Sequence, residues 1–186
     1  MTQSGVTRSV KLNISDTYIL TSSASTVTFS GTVVANVGWH LSVDGTYITK
    51  ASSTGGNPGA TTVTFTVAPN TNTAWTKTVI NLECAYDTSV TDTITIYIAH
   101  PYSDVALGNG GVVYNTNITE CYMKGNVSWY CIGYPSWATV SPMSGSRNDG
   151  RFTVKANSSG NDSGTITFAF SNGLPSVSLT ITRKTL

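Results

Sequence analysis

Trp39, Tyr47-Ile48-Thr49, Phe65-Thr66-Val67 and Asn70 are met again further along the chain as Trp129, Trp137-Ala138-Thr139, Phe152-Thr153-Val154 and Asn157. The first two matches are offset by 90 residues and the last two by 87. The chain therefore reads as a tandem repeat. Length changes fall in loops, and the three-residue difference is assigned to a Gly-rich stretch. That stretch is Ser52 to Gly59 in the first copy and Ser144 to Gly150 in the second. A period near 90 residues is about the size of a small all-β sandwich.

Alternation with period two recurs within each copy. It runs through Val10, Leu12 and Ile14; Val27 and Phe29; Val63, Phe65 and Val67; and Ile94, Ile96 and Ile98. In the second copy it runs through Ile166, Phe168 and Phe170, then Val177, Leu179 and Ile181. Residues two apart share one face of a strand, so each run is apolar on one side and Thr- or Ser-rich on the other. No window of 11 or more residues keeps a 3.6-residue apolar period. Turn signals stand between the runs at Asp44-Gly45, Ala68-Pro69-Asn70, Asn148-Asp149-Gly150 and Ser171-Asn172-Gly173. The expectation is all-β: two tandem immunoglobulin-like sandwiches of about seven strands each, residues 1–99 and 103–186. Their boundary is His100-Pro101-Tyr102-Ser103, where proline cannot extend a ladder.

Composition narrows the function classes. Only 10% of the 186 residues are charged and the net charge is +1, so no basic surface for nucleic acid is offered. No run approaches the roughly 20 apolar residues that span a bilayer, and a membrane partner is not expected. Met1 to Val6 lacks the basic start and apolar centre of a signal peptide. Cys84, Cys121 and Cys131 are odd in number and are read as free thiols. Cys121 and Cys131 flank a short segment around Asn126, which leaves open a pairing across neighbouring strands.

At the second copy the pattern becomes specific. Asn126-Val127-Ser128-Trp129, Pro135-Ser136-Trp137-Ala138-Thr139-Val140-Ser141-Pro142, Phe152-Thr153-Val154, Ala156-Asn157 and Ser163-Gly164-Thr165-Ile166-Thr167 resemble the BACON domain. This is an immunoglobulin-like module of Bacteroidetes and their phages. The first copy fits more loosely, with Tyr47 where the second has Trp137. The resemblance implies a seven-stranded sandwich and, for the family, a proposed role in binding glycans or mucin. It fixes no contact residues.

The inventory for catalysis is poor. His40 and His100 are the only histidines, and neither is spaced to pair with a Cys or Ser nucleophile. Glu83 and Glu120 lie in strand-like runs of different copies, and the aspartates gather in turns. Asn148-Asp149-Gly150 and Asn161-Asp162-Ser163-Gly164 echo a calcium loop but lack its alternating acidic positions and distal Glu. No enzyme, catalytic residue, metal site or cofactor is expected.

Aromatic residues are the set with a binding option, because flat rings beside hydroxyl and amide groups meet sugars or proteins. Trp39 and Trp129 occupy the position of the core tryptophan of an immunoglobulin sandwich and are assigned to the core. Trp75 stands in the polar turn Asn70 to Thr76, where the second copy is expected to carry Asp162. Trp75, Tyr134 beside Pro135, and Tyr102 in the linker are the candidate surface anchors. Taken with the resemblance, the expected function is that of a non-enzymatic phage virion protein, an auxiliary or decoration component on the capsid exterior. It would be made in the host cytoplasm and contact capsid or other virion proteins, with Thr-rich strand edges and aromatics as its contacts. The alternative is an adhesin module binding host or mucosal glycans.

Overall fold

The computed structural model describes residues 7–22, 24–107, 111–115, 117–147, 150–171 and 174–185. The expected turns at Asn148-Asp149 and Asn172-Gly173, and the start Met1 to Val6, lie outside the described residues. No α-helix occurs among the described residues. The chain divides into two compact units, Met1–His100 and Pro101–Leu186.

Among the described residues the first unit has nine strands: β1 (Val10–Ile14), β2 (Tyr18–Leu20), β3 (Val27–Ala35), β4 (Trp39–Asp44), β5 (Ile48–Ala51), β6 (Gly55–Gly56), β7 (Gly59–Val67), β8 (Thr76–Cys84) and β9 (Asp87–Ala99). They form one sheet in the order β1-β3-β7-β5 and another in the order β2-β9-β8-β4-β6. The second unit repeats this with β10 (Ser103–Leu107), β11 (Val112–Tyr114), β12 (Thr119–Gly125), β13 (Trp129–Gly133), β14 (Ala138–Ser141), β15 (Ser144–Gly145), β16 (Arg151–Ala156), β17 (Ser163–Phe170) and β18 (Val177–Lys184). Its sheets run β10-β12-β16-β14 and β11-β18-β17-β13-β15. Neighbours are antiparallel except β2 on β9 and β11 on β18, which are parallel. This is the immunoglobulin arrangement, with four strands on one side and a last, penultimate and tryptophan-bearing strand on the other. Among the described residues, nine strands per unit replace the expected seven. The added pieces are the three-residue parallel strands and the two-residue strands beside the tryptophan, too short to leave an alternation in the sequence.

The apolar phases face inward as their period dictates. In the first unit Trp39, Val63, Phe65, Val67, Ile80, Leu82 and Ile96 are fully buried. In the second, Trp129 lies against Phe152 and Phe168, each with ring centroids 5.7 Å away. Burying such a side chain stabilises by roughly 1.5–3 kcal/mol. Cys84, Cys121 and Cys131 are free and buried. Cys121 sits on β12 and Cys131 on β13, strands of different sheets, and burial pushes the Cys131 thiol pKa up.

The register corrects the alignment of the repeat. Trp39 pairs with Cys84 and Trp129 with Phe170, so β8 maps onto β17 with an offset of 86. Ala68 donates its N–H to the carbonyl of Tyr47, and Asn157 donates to that of Trp137. Ala68 and Asn157 are therefore equivalent, and Val63, Phe65 and Val67 correspond to Phe152, Val154 and Ala156 at an offset of 89. The two Phe-Thr-Val words are out of step by two residues, and Asn70 is not the counterpart of Asn157. Side chains alternate with period two, so a two-residue slip keeps every apolar residue on the inner face. Three of the four length changes thus lie between β7 and β8, in the loop that carries Trp75, rather than in the Gly-rich stretch.

Two contacts are traded between the copies. Gly45 lies against Thr78, where an added Cβ would come within 2.7 Å of the hydroxyl. At the equivalent place in the second unit the bulk is reversed. Pro135 fills the turn, and the facing residue is Gly164, whose missing Cβ would strike the proline ring. Glycine also recurs over each tryptophan, Gly56 opposite Trp39 and Gly145 opposite Trp129.

Every outermost strand among the described residues is two to five residues long. On β1, the Leu12 N–H donates to an Asp92 carboxylate oxygen at 2.8 Å, and Lys11 approaches the same carboxylate at 3.7 Å. Short, side-chain-blocked edges resist pairing with a further strand.

Candidate functional site

The parallel strand β2 sets Tyr18 beside Tyr97 of β9. The two rings stack with centroids 4.9 Å apart and planes 15° from parallel. Trp75, on the loop entering β8, meets Tyr18 edge to face, with centroids 5.1 Å apart at 80°. All three rings are partly exposed. Lys77, exposed on β8, is the cross-strand neighbour of Tyr97. Aromatic pairs of this geometry contribute about 0.5–1.5 kcal/mol beyond area burial.

The second unit does not repeat this cluster. With Lys77 mapped to Ser163, the partner of Tyr97 becomes Thr182, and that of Tyr18 becomes Val112. Trp75 maps to Asn161 rather than to Asp162. The sandwich is built once without these rings, so they are an addition to the framework in the first unit. Sequence reading found Trp75 and missed its two companions. Tyr97 was legible as the outward residue between the inward Ile96 and Ile98, whereas three-residue β2 gives Tyr18 no pattern to stand in.

Tyr134 and Tyr102 belong to the second unit and are 45% and 42% exposed. Asn126 holds the backbone of Tyr102 from both sides. Its Oδ1 accepts the Tyr102 N–H at 2.9 Å, and its own N–H donates to the Tyr102 carbonyl at 3.1 Å. Tyr134 follows β13, at the far end of that strand from Asn126, so these two tyrosines do not form one site. Between them the outer side of β13 exposes Tyr130 and Ile132, at 45% and 56%. Ile132 is the extra residue of a bulge against β17, which takes it out of the pairing.

Asp162, read from the sequence as part of a calcium-loop fragment, forms one structural clamp with Arg183. The guanidinium bonds both carboxylate oxygens of Asp162, donates to Ser158 and lies 5.1 Å over the Trp137 ring. The bond to Arg183 holds the Asp162 carboxyl below its usual pKa. Asp87 is also lowered, first by hydrogen bonds from Ser89 and then by Arg8. His40 and Glu83 are cross-strand neighbours on β4 and β8, and Glu120 stands on β12 bonded to the Tyr122 hydroxyl at 3.2 Å. No group of three or more metal-ligating side chains occurs among the described residues.

No protein-family model matches the chain, and no curated protein does. Among solved structures, a Bacteroides ovatus GH5 xyloglucanase is similar over 59% of this chain and 22% of its own, at 16% identity and a TM-score of 0.41. The Yersinia pseudotuberculosis adhesin InvE is similar over 94% and 58%, at 13% identity and 0.41. The titin domains I67–I69 are similar over 97% and 66%, at 16% identity and 0.41. The chain thus spans less than two thirds of each of these three.

Proposed function

We propose that this chain is a non-enzymatic binding protein and, more finely, an auxiliary protein that decorates the exterior of a phage capsid. The observation that carries the reading is apolar side chains left in solvent. The second unit exposes Tyr102, Ile118, Tyr122, Tyr130, Ile132, Tyr134 and Met143, against Val34 and Tyr86 in the first. Exposed aromatic and aliphatic side chains suit contact with a protein surface, where buried tyrosines are among the residues that carry most of the binding energy. The resemblance of the second unit to BACON modules of Bacteroidetes phages supports the choice of particle. Copies bound across a symmetric shell would add weak contacts into firm attachment. Quantitative mass spectrometry of gradient-purified particles from the source culture, scaled to the major capsid protein, tests this. A fixed ratio to capsid is expected, and absence from particles refutes it.

A second reading, binding to host or mucosal glycans, is favoured by the Tyr18, Tyr97 and Trp75 cluster with Lys77 beside it. Partly exposed rings next to a hydrogen-bond donor are the surface such ligands use. A glycan array with wild type and Trp75→Ala decides it: binding that disappears in the variant supports the reading, and an array without signal removes it.

A further inference from the structure

We propose that the outer face of the β10-β12-β16-β14 sheet in the second unit carries a binding site for a small zwitterion, and that its ligand is a free α-amino acid with an apolar side chain. The site depends on neither the capsid nor the glycan reading.

A recess of about 170 Å³ opens on this face, lined by Glu120, Ser141, Pro142, Arg151, Phe152 and Thr153. The register sets who meets whom. Glu120 of β12 is paired with Thr153 of β16, which is paired with Ser141 of β14, so the three form one row across the sheet. Tyr122 and Arg151 form the next row. Alternation turns these residues outward, because Cys121, Val140, Phe152 and Val154 between them are buried. The Thr153 hydroxyl donates to the Ser141 carbonyl at 2.9 Å, which ties β16 to β14 beside Pro142.

Opposite charges border this recess without neutralising each other. Glu120 and Arg151 are diagonal neighbours, about 7–8 Å apart at the backbone, and no ion pair joins them among the described residues. Tyr122 holds both. Its hydroxyl bonds a Glu120 carboxylate oxygen at 3.2 Å, and the Arg151 guanidinium lies 5.9 Å from the centre of its ring.

The charges select the guest. An anion drawn to Arg151 is repelled by Glu120, and a cation drawn to Glu120 is repelled by Arg151. An uncharged polyol offers each ion only a neutral partner. A zwitterion answers both with charge-assisted bonds: its ammonium only donates and suits the carboxylate, while its own carboxylate only accepts and suits the guanidinium fork. In an α-amino acid the two groups branch from one carbon, which leaves the side chain to lie against the Pro142 ring. The recess is smaller than the roughly 300–1,000 Å³ of sites for drug-sized ligands. At about 30 Å³ per water it holds the bulk of five or six waters, which suits one amino acid and not a peptide.

The first unit shows that the sandwich itself does not need these residues. By the same register Glu120, Tyr122, Arg151 and Pro142 fall on Ser30, Thr32, Thr62 and Ser53. There the hydroxyls of Ser30 and Thr64 bond each other at 3.1 Å. A carboxylate, a phenol, a guanidinium and a proline ring thus stand in the second unit where small hydroxyl side chains serve the same strands in the first.

Amide NMR spectra of the whole chain, titrated with L-leucine to about 50 mM, test the proposal. Glu120 and Arg151 are exposed, so binding at about 1–10 mM is expected, with saturable shifts confined to the amides around Glu120, Ser141 and residues 151–153. N-acetyl-leucine, which lacks the ammonium, and leucinamide, which lacks the carboxylate, should each bind about two- to fivefold more weakly. Glu120→Gln should make leucine and N-acetyl-leucine bind alike, and Arg151→Gln should do the same for leucine and leucinamide, each with an otherwise unchanged spectrum. Lys77→Gln, on an exposed position of the first unit, should change none of this. The absence of saturable shifts, shifts scattered over both units, or discrimination that survives the matching substitution overturns the proposal. Galactose moving the same amides at least as readily as leucine also overturns it and makes the recess a sugar site.

Discussion

Gly56→Ala is the sharpest probe of the packing in the first unit. A Cβ at residue 56 would lie 2.7, 2.8 and 2.9 Å from Cζ2, Cε2 and Nε1 of the Trp39 indole. Ordinary contact is about 3.5–4.0 Å, so the overlap is roughly 1 Å. Trp39 is fully buried and cannot retreat into a packed interior. Strand β6 must therefore lift, and overpacking of this kind costs about 1–3 kcal/mol. Alanine also restricts the unfolded chain, which returns about 0.4–1 kcal/mol. The net expectation is a loss of about 1–2 kcal/mol confined to the first unit. Native-state hydrogen exchange read by mass spectrometry resolves the units: the slowest amides of β4 and β8 should exchange roughly 5–30 times faster, while those of β13 and β17 hold still. Trp39→Phe removes the struck ring, so the double variant should lose less than the sum of the singles. Gly133→Ala, which meets nothing within 4 Å, is the reference for a glycine with room. Additive losses in the Trp39 and Gly56 cycle would refute the steric account.

Asp162 titrates below its ordinary value because Arg183 bonds it, so its contribution is present above the unfolded pKa of about 3.9 and is lost as pH falls through the folded one. Asp162→Asn should therefore flatten the acid-side decline in stability of the second unit, measured by exchange at pH 3 to 6; an unchanged slope counts against the clamp. With Cys84, Cys121 and Cys131 all buried and the Cys131 thiol pKa raised, a thiol reagent should label none of them rapidly in the native protein and all after unfolding. Tyr18→Ala removes both ring contacts of β2 and should cost about 1–2 kcal/mol of local protection at residues 18–20, seen as faster exchange there with β8 unaltered.

The fold was open to reading because burial writes itself on a strand at every second residue. Val63, Phe65 and Val67, or Ile166, Phe168 and Phe170, declare both strand and inner face. The same periodicity hid the register. Phe65-Thr66-Val67 and Phe152-Thr153-Val154 are identical words on equivalent strands, yet only backbone pairing distinguishes a correct alignment from one displaced by two. The aromatic cluster was half legible for a related reason. Trp75 stood out as a large apolar residue in a polar turn, but Tyr18 acquires its neighbours through a parallel pairing with β9, nearly 80 positions away in sequence, and no local pattern announces such a contact. The Arg183 clamp was missed because each member, taken alone, looks like an ordinary solvated charge.

The exchange of bulk between Gly45 with Thr78 and Pro135 with Gly164 has an evolutionary consequence. Duplicated segments can recombine with one another, and a crossover between β4 and β8 would join half of one copy to half of the other. One product would put glycine opposite glycine and leave a hole. Its reciprocal would press proline against threonine where no space exists. Each copy is therefore locked to its own second half, and gene conversion that homogenises other tandem arrays would be penalised here at this pair. The two modules are free to diverge in their surfaces, as the aromatic cluster of the first already shows.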